Sequence, residues 1–239
     1  MKKVLFFLLL GFWALSCSSS NQGPLLRLGI DPSWQELEAG LLGRNLNAFL
    51  EEFLLQVCTE EKIRIELVKV SRSKLFPGLE SGLYEAVLST FYPYNFNLGR
   101  YAFSKPLLFT GSVLVLAQGS PPFHLDGLSG KLVGVMKELD TNFLIQQYPK
   151  VIYKEYSSAP ELLDHLEDGF LDGAILENLQ AIPFVKNLFS GHLTIVGPLS
   201  DMGIRLVCLK DQRAVLKIFK KHLKDKKSLN GLKAKWGLL

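Results

Sequence analysis

Two positions in this chain are paired by repetition, and both carry side chains suited to holding a ligand. The run Leu75-x-x-x-Leu79-Glu80-Ser81-Gly82-x-x-Glu85-Ala86-Val87-Leu88 recurs at one constant offset as Leu162-x-x-x-Leu166-Glu167-Asp168-Gly169-x-x-Asp172-Gly173-Ala174-Ile175. Each copy reads as a helix stopped by a glycine able to take the left-handed cap, then a turn bearing an acid, then a buried strand. The repeated strands end at Thr90 and Glu177. Open α/β sheets take ligands beyond the carboxyl ends of their strands, so the repeat nominates Thr90 and Glu177 as two walls of one cleft. An acid ending a buried strand points to ligand binding more than to a solvated charge.

Other chemistry is sparse. Cys17, Cys58 and Cys208 cannot build a disulfide framework and fit no zinc spacing. Cys58, on the apolar side of a helical stretch, and Cys208, in the strand-like run 204–209, read as buried small hydrophobes or, in an oxidising compartment, as a pair. His124, His165, His192 and His222 are scattered without ligand spacing, and phosphate loops, HExxH and GxSxG are absent. Neither catalysis nor a metal or organic cofactor is expected.

Alternating strands and helices must position the two walls. Leu25–Ile30 reads as a buried strand, and Leu46, Phe49, Leu50, Phe53, Leu54 and Val57 lie on one helical face. Strand 64–70, helix 74–80 and strand 86–90 follow. The alternation resumes with strand 131–136, helix 140–147, strand 151–156, helix 158–167, strand 173–177 and helix 179–189. Strand 203–209 and a basic amphipathic helix (Val215, Ile218, Phe219, His222) end it. Strands separated by helices predict an α/β class with mixed, mostly parallel sheets flanked by helices.

At 239 residues, with 48% hydrophobic and 21% charged side chains, the chain has room for one or two globular domains. The formal net charge of +4 includes Lys2 and Lys3, which precede the apolar run Val4–Leu15. That run is short of the ~20 residues a span requires and suits a secretory signal, 1–16, removed on export. The remaining positive charge is weak and reads as dispersed, so no nucleic-acid partner is expected. Ala14-Leu15-Ser16-Cys17 resembles a bacterial lipobox, with Ala14 and Leu15 departing from its usual residues. Cys17 is then the lipidation site and 17–24 a polar tether; the alternative is ordinary cleavage near Ser16.

The element order resembles the polar-amino-acid class of bacterial extracellular solute-binding proteins, family 3, the receptors of ABC importers. The likeness runs from about Leu25 to Trp236 and is carried by Leu26-Arg27-Leu28-Gly29-Ile30-Asp31-Pro32, Leu75 to Gly82 and Phe103-Ser104-Lys105-Pro106. Further carriers are Leu125 to Val135, Gly197-Pro198-Leu199, Gly203-Ile204 and Leu232 to Trp236. The resemblance implies a two-lobed periplasmic-binding-protein type II fold. Lobe 1 would be 25–108 with 200–239, lobe 2 would be 113–196, and two hinge strands would cross near 107–112 and 196–199.

It also implies site residues. Asp31 and Trp34 match the family's acid and ring-stacking aromatic, and Glu177 replaces the aspartate that holds an α-ammonium. Asn97 stands where the family has its carboxylate-binding arginine, Tyr92 where it has a threonine, and Arg72 where it has a second aromatic. Arg100, three residues on, reads as solvated. The carboxylate-holding turn becomes Lys137-Glu138-Leu139-Asp140-Thr141, in which Asp140 or Thr141 can cap a helix but Asp140 opposes an anion. The implied protein is a monomeric, non-enzymatic receptor, periplasmic and lipid-anchored to a bacterial membrane. It would take a small polar ligand (an amino acid, amine or short peptide) to an ABC permease. A sensing or scaffold module, or a dehydratase-like enzyme, are the alternatives on this fold.

Overall fold

The computed structural model describes residues 23–31, 45–121, 124–137, 139 and 142–239. The chain runs β1 (Leu25–Ile30), α1 (Leu46–Glu61), β2 (Arg64–Lys69), α2 (Arg72–Glu80), β3 (Ala86–Ser89), β4 (Tyr101–Phe103), β5 (Leu108–Phe109) and β6 (Ser112–Ala117). It continues through β7 (Leu132–Met136), α3 (Asn142–Gln147), β8 (Ile152–Tyr156), α4 (Ala159–Glu167), β9 (Gly173–Glu177) and α5 (Asn178–Pro183). The last elements are β10 (Leu193–Pro198), β11 (Gly203–Leu209), α6 (Ala214–Lys224) and α7 (Lys226–Lys235).

Two sheets organise these elements. The first has the order β2-β1-β3-β11-β4, with β5 added to β11, and the second the order β10-β6-β9-β7-β8. α1 forms where its apolar face predicts: Leu46, Phe49, Leu50, Phe53, Leu54 and Val57 are all buried against the first sheet. The Asn45 side chain caps it, accepting from the Ala48 amide at 2.8 Å. Along β11 the side chains alternate. Ile204, Leu206 and Cys208 enter the core beneath α1, α6 and α7, whereas Val207 packs with Leu75, Leu79 and Tyr84 on the α2 side. Cys58 and Cys208 are separate thiols, and burial pushes the Cys208 thiol up to about 11.

The repeat is a structural device. Gly82 and Gly169 end α2 and α4 with φ of +75° and +77°, conformations that disfavour any Cβ. The acid that follows latches each turn to the adjoining strand. Glu85 accepts from the Arg27 amide at 2.7 Å and from its guanidinium at 2.8 Å. Asp172 accepts from the Leu132 amide at 2.9 Å and pairs with Lys131 at 3.1 Å. Partial burial works to raise the Glu85 carboxyl, but its bonds from Arg27 outweigh that and hold it low.

Three expectations are corrected. The sheets are balanced rather than mostly parallel. β1–β2, β1–β3, β7–β8 and β7–β9 are parallel, whereas β11 with β3, β4 and β5, and β6 with β9 and β10, are antiparallel. Strands joined through helices run parallel; those supplied by the crossings run against them. Secondly, the helix expected to reach Phe189 leaves α geometry at Pro183, which lacks an amide hydrogen. A π turn over Phe184–Leu188 takes up the chain, with the Phe189 amide reaching Phe184 O at 2.8 Å. Thirdly, the positive charge is not wholly dispersed. Arg213, Lys217, Lys220 and Lys224 share one face of the α6 segment and, with Lys105, rim an apolar groove of about 650 Å³ beside β4.

Candidate functional site

The parallel strands of the first sheet end at one edge, and register places the candidate residues along it. β1 and β3 pair Ile30 with Leu88, so Asp31 follows at the level of Ser89 and Thr90 one residue beyond it, at the same edge. Asp31 is buried and Thr90 half-buried. β2 pairs Lys69 with Ile30, which brings Arg72, the exposed first residue of α2, to the same edge. β11 runs the other way and therefore starts there, with Arg205 opposite Ser89.

Tyr92 follows Thr90 and turns its ring over the Arg205 guanidinium, 5.7 Å from ring centroid to Cζ. A hydrogen bond with Asp201, reinforced by burial, raises the pKa of the Tyr92 hydroxyl. Asn97 is 6% exposed and serves the loop itself: its Nδ2 donates to Tyr92 O at 3.0 Å. Its backbone oxygen accepts from the Arg100 and Tyr101 amides. Arg100 lies outside, paired with Glu80 at 2.7 Å. The arginine expected to be solvated is exposed, but ion-paired.

On the second sheet Glu177 closes β9 and lies opposite Ser112, where the first crossing enters β6. The next residue fixes that junction, Asn178 donating from its amide to Gly111 O and from Nδ2 to Phe109 O, both at 3.0 Å. Water reaches Glu177, yet the protein packed around its carboxyl penalises the charge and raises its pKa. It has no ion-pair or hydrogen-bond partner for that carboxyl among the described residues. The arrangement can accept a cation from outside.

Register thus gathers Asp31, Arg72, Thr90 and Tyr92 at one sheet edge, and places Glu177 at the corresponding edge of the other. Trp34, Asp140, Thr141 and Cys17 lie outside the described residues. Arg205 and Asp201 were missed by the sequence reading. The available signal was one arginine inside Gly-Ile-Arg-Leu-Val-Cys-Leu, an otherwise apolar strand. No metal-holding group of His, Cys, Asp and Glu occurs among the described residues.

Residues 26–238 match the family model of bacterial extracellular solute-binding proteins, family 3. The chain belongs to this family. Its α/β architecture is the type II periplasmic-binding fold, and the family is one of solute binding rather than catalysis. Among solved structures, this family 3 member resembles the L-cystine solute receptor of Neisseria gonorrhoeae in its unliganded open conformation. The TM-score is 0.68 at 15% identity, over 90% of this chain and 94% of that one. It also resembles the second substrate-binding domain of a putative amino acid ABC transporter from Streptococcus pneumoniae. There the TM-score is 0.58 at 14% identity, over 90% of this chain and 100% of that one. At such identities the likeness is one of fold. No curated protein sequence matches the chain.

Proposed function

We propose that the chain is an exported receptor that captures a small polar, amino-acid-like solute between two lobes and presents it to the permease of an ABC importer. Lobe 1 is 25–108 with 200–239, lobe 2 is 113–196, and the crossings near 107–112 and 196–199 are the hinges. Closure buries the solute from both sides, a hinge transition a permease can sense. Asp31, Trp34, Arg72, Thr90, Tyr92 and Asn97 belong to the wall on lobe 1, and Asp140, Thr141 and Glu177 to the wall on lobe 2. A lipid on Cys17 holds the monomeric receptor at a membrane.

Glu177 carries this reading. A water-reached carboxylate at the carboxyl end of a strand, destabilised by its surroundings and lacking a cationic partner among the described residues, is poised for an ammonium or guanidinium group. Asn97 cannot supply the bidentate fork of an arginine, so the solute departs from ordinary α-carboxylate placement. It is an amine, a short peptide or a modified amino acid. The test is mass spectrometry of small molecules released when freshly purified protein is denatured. A cationic solute should leave the wild type and be depleted from Glu177→Gln. If neither protein releases a solute, and amino acids, dipeptides and polyamines all fail to stabilise the wild type, the scaffold reading replaces this one.

A further inference from the structure

Arg205 is 2% exposed, and its Nε has no hydrogen-bond partner among the described residues. A guanidinium carries five donors, and leaving one of them unsatisfied away from water is costly. Among the described residues, the contacts of the Arg205 guanidinium come from Asp201 and Tyr92. Nη2 donates to Asp201 O, the Asp201 carboxylate stands 3.6 Å from Nη2, and the Tyr92 ring lies over Cζ. At 3.6 Å the carboxylate is an ion-pair partner but beyond hydrogen-bond range. The Asp201 side chain is also 54% exposed, so the acid covering Arg205 is itself in water.

Place adds to chemistry. β11 is antiparallel to β3, which brings Arg205 to the carboxyl end of β3 next to Ser89, Thr90 and Tyr92. Asp201 sits in the short link between β10 and β11. A buried guanidinium with an empty donor, at the edge where the solute is to bind, lacks one acceptor that the fold does not provide.

We infer that Arg205 is the anion anchor of the solute site: a ligand carboxylate takes the place of Asp201 on its guanidinium and meets the unused Nε. Asp201 is then a resident surrogate, released when ligand arrives. This inference rests on the solute-receptor reading and deepens it. The preferred solute is zwitterionic, its carboxylate directed to β11 and its cationic group to Glu177, which accounts for the absence of an arginine at position 97.

The probes are free amino acids and dipeptides, each compared with its C-terminal carboxamide by calorimetry on the full mature chain. For the wild type, the carboxylate form of a binding probe should be at least tenfold tighter than its amide. Arg205→Lys, which keeps charge but loses the fork, should erase most of that ratio. Asp201→Asn removes the competing charge and keeps the main-chain bond from Nη2; it should tighten the carboxylate form several-fold and leave the amide unchanged. Should Arg205→Lys fold poorly, as judged by its thermal transition, the Asp201→Asn ratio carries the test. Equal affinity for acid and amide, or a ratio unmoved by Asp201→Asn, overturns the anchor while leaving the receptor standing. If no probe binds the wild type but a polyamine does, the anchor fails and the receptor stands; if polyamines fail as well, the receptor reading fails and takes the anchor with it.

Discussion

Glu177 ties ligand binding to stability with opposite signs. Its carboxyl has a raised pKa because burial disfavours the charged form. The folded chain therefore holds this proton to higher pH than the unfolded chain does. Stability from this group falls as pH rises from the unfolded value through the folded one. Glu177→Gln should raise the thermal midpoint of the ligand-free protein at neutral pH and leave it unchanged well below the ordinary carboxylate range. The same substitution should weaken a cationic solute by roughly ten- to a hundredfold, the worth of one charge-assisted hydrogen bond. Differential scanning and calorimetry across pH check both. A midpoint that drops at neutral pH would show that Glu177 supports the fold. At this scale the sequence was half legible: an acid ending a repeated strand can be read from pattern. The coupling of Arg205 to Tyr92 and Asp201 cannot, since it depends on a strand that returns more than a hundred residues after β3.

At the scale of elements, the most exact readings are those whose period is written locally. α1 and β9 were placed by their own apolar spacing and need no distant partner. β6 was missed because Ser-Val-Leu-Val-Leu-Ala is a continuous apolar run with no alternation, buried on both faces of the second sheet. β4 and β5 have three and two residues, too few to show any period. The repeated glycines give an element-level prediction. No neighbouring atom would meet a Cβ on Gly169, so only its φ of +77° opposes one. Gly169→Ala should cost about 1–2 kcal/mol, the penalty of a left-handed residue with a side chain. Denaturant melts would read it as a lower midpoint at unchanged slope. A cost near zero would mean that the turn relaxes to another conformation.

For the whole molecule, solute at about a hundred times its dissociation constant should add about 2.7 kcal/mol of stability. If the lobes close, scattering in the same solution should report a smaller radius of gyration. A profile unchanged at saturation would separate binding from closure and favour a scaffold. The lipid proposed on Cys17 has its own readout. Intact mass of detergent-extracted protein should carry an acyl increment that Cys17→Ala abolishes, and a mass equal to the unmodified chain would reject lipidation.

One topological fact bears on how the chain acquires this shape. β11 lies between β3 and β4, although every described strand of the second sheet separates it from them in sequence. β3 and β4 stay unpaired on that side until Leu209 has been made. Closing so wide a loop costs entropy before the new contacts form. The second sheet draws all its strands from one continuous stretch and is free to form earlier. Pulse-labelled hydrogen exchange should find the amides of β7 and β9 protected before those of Val87 and Val207; simultaneous protection would contradict that order. A half that is synthesised first but completed last stays open and threadable, which would suit the export proposed for this chain.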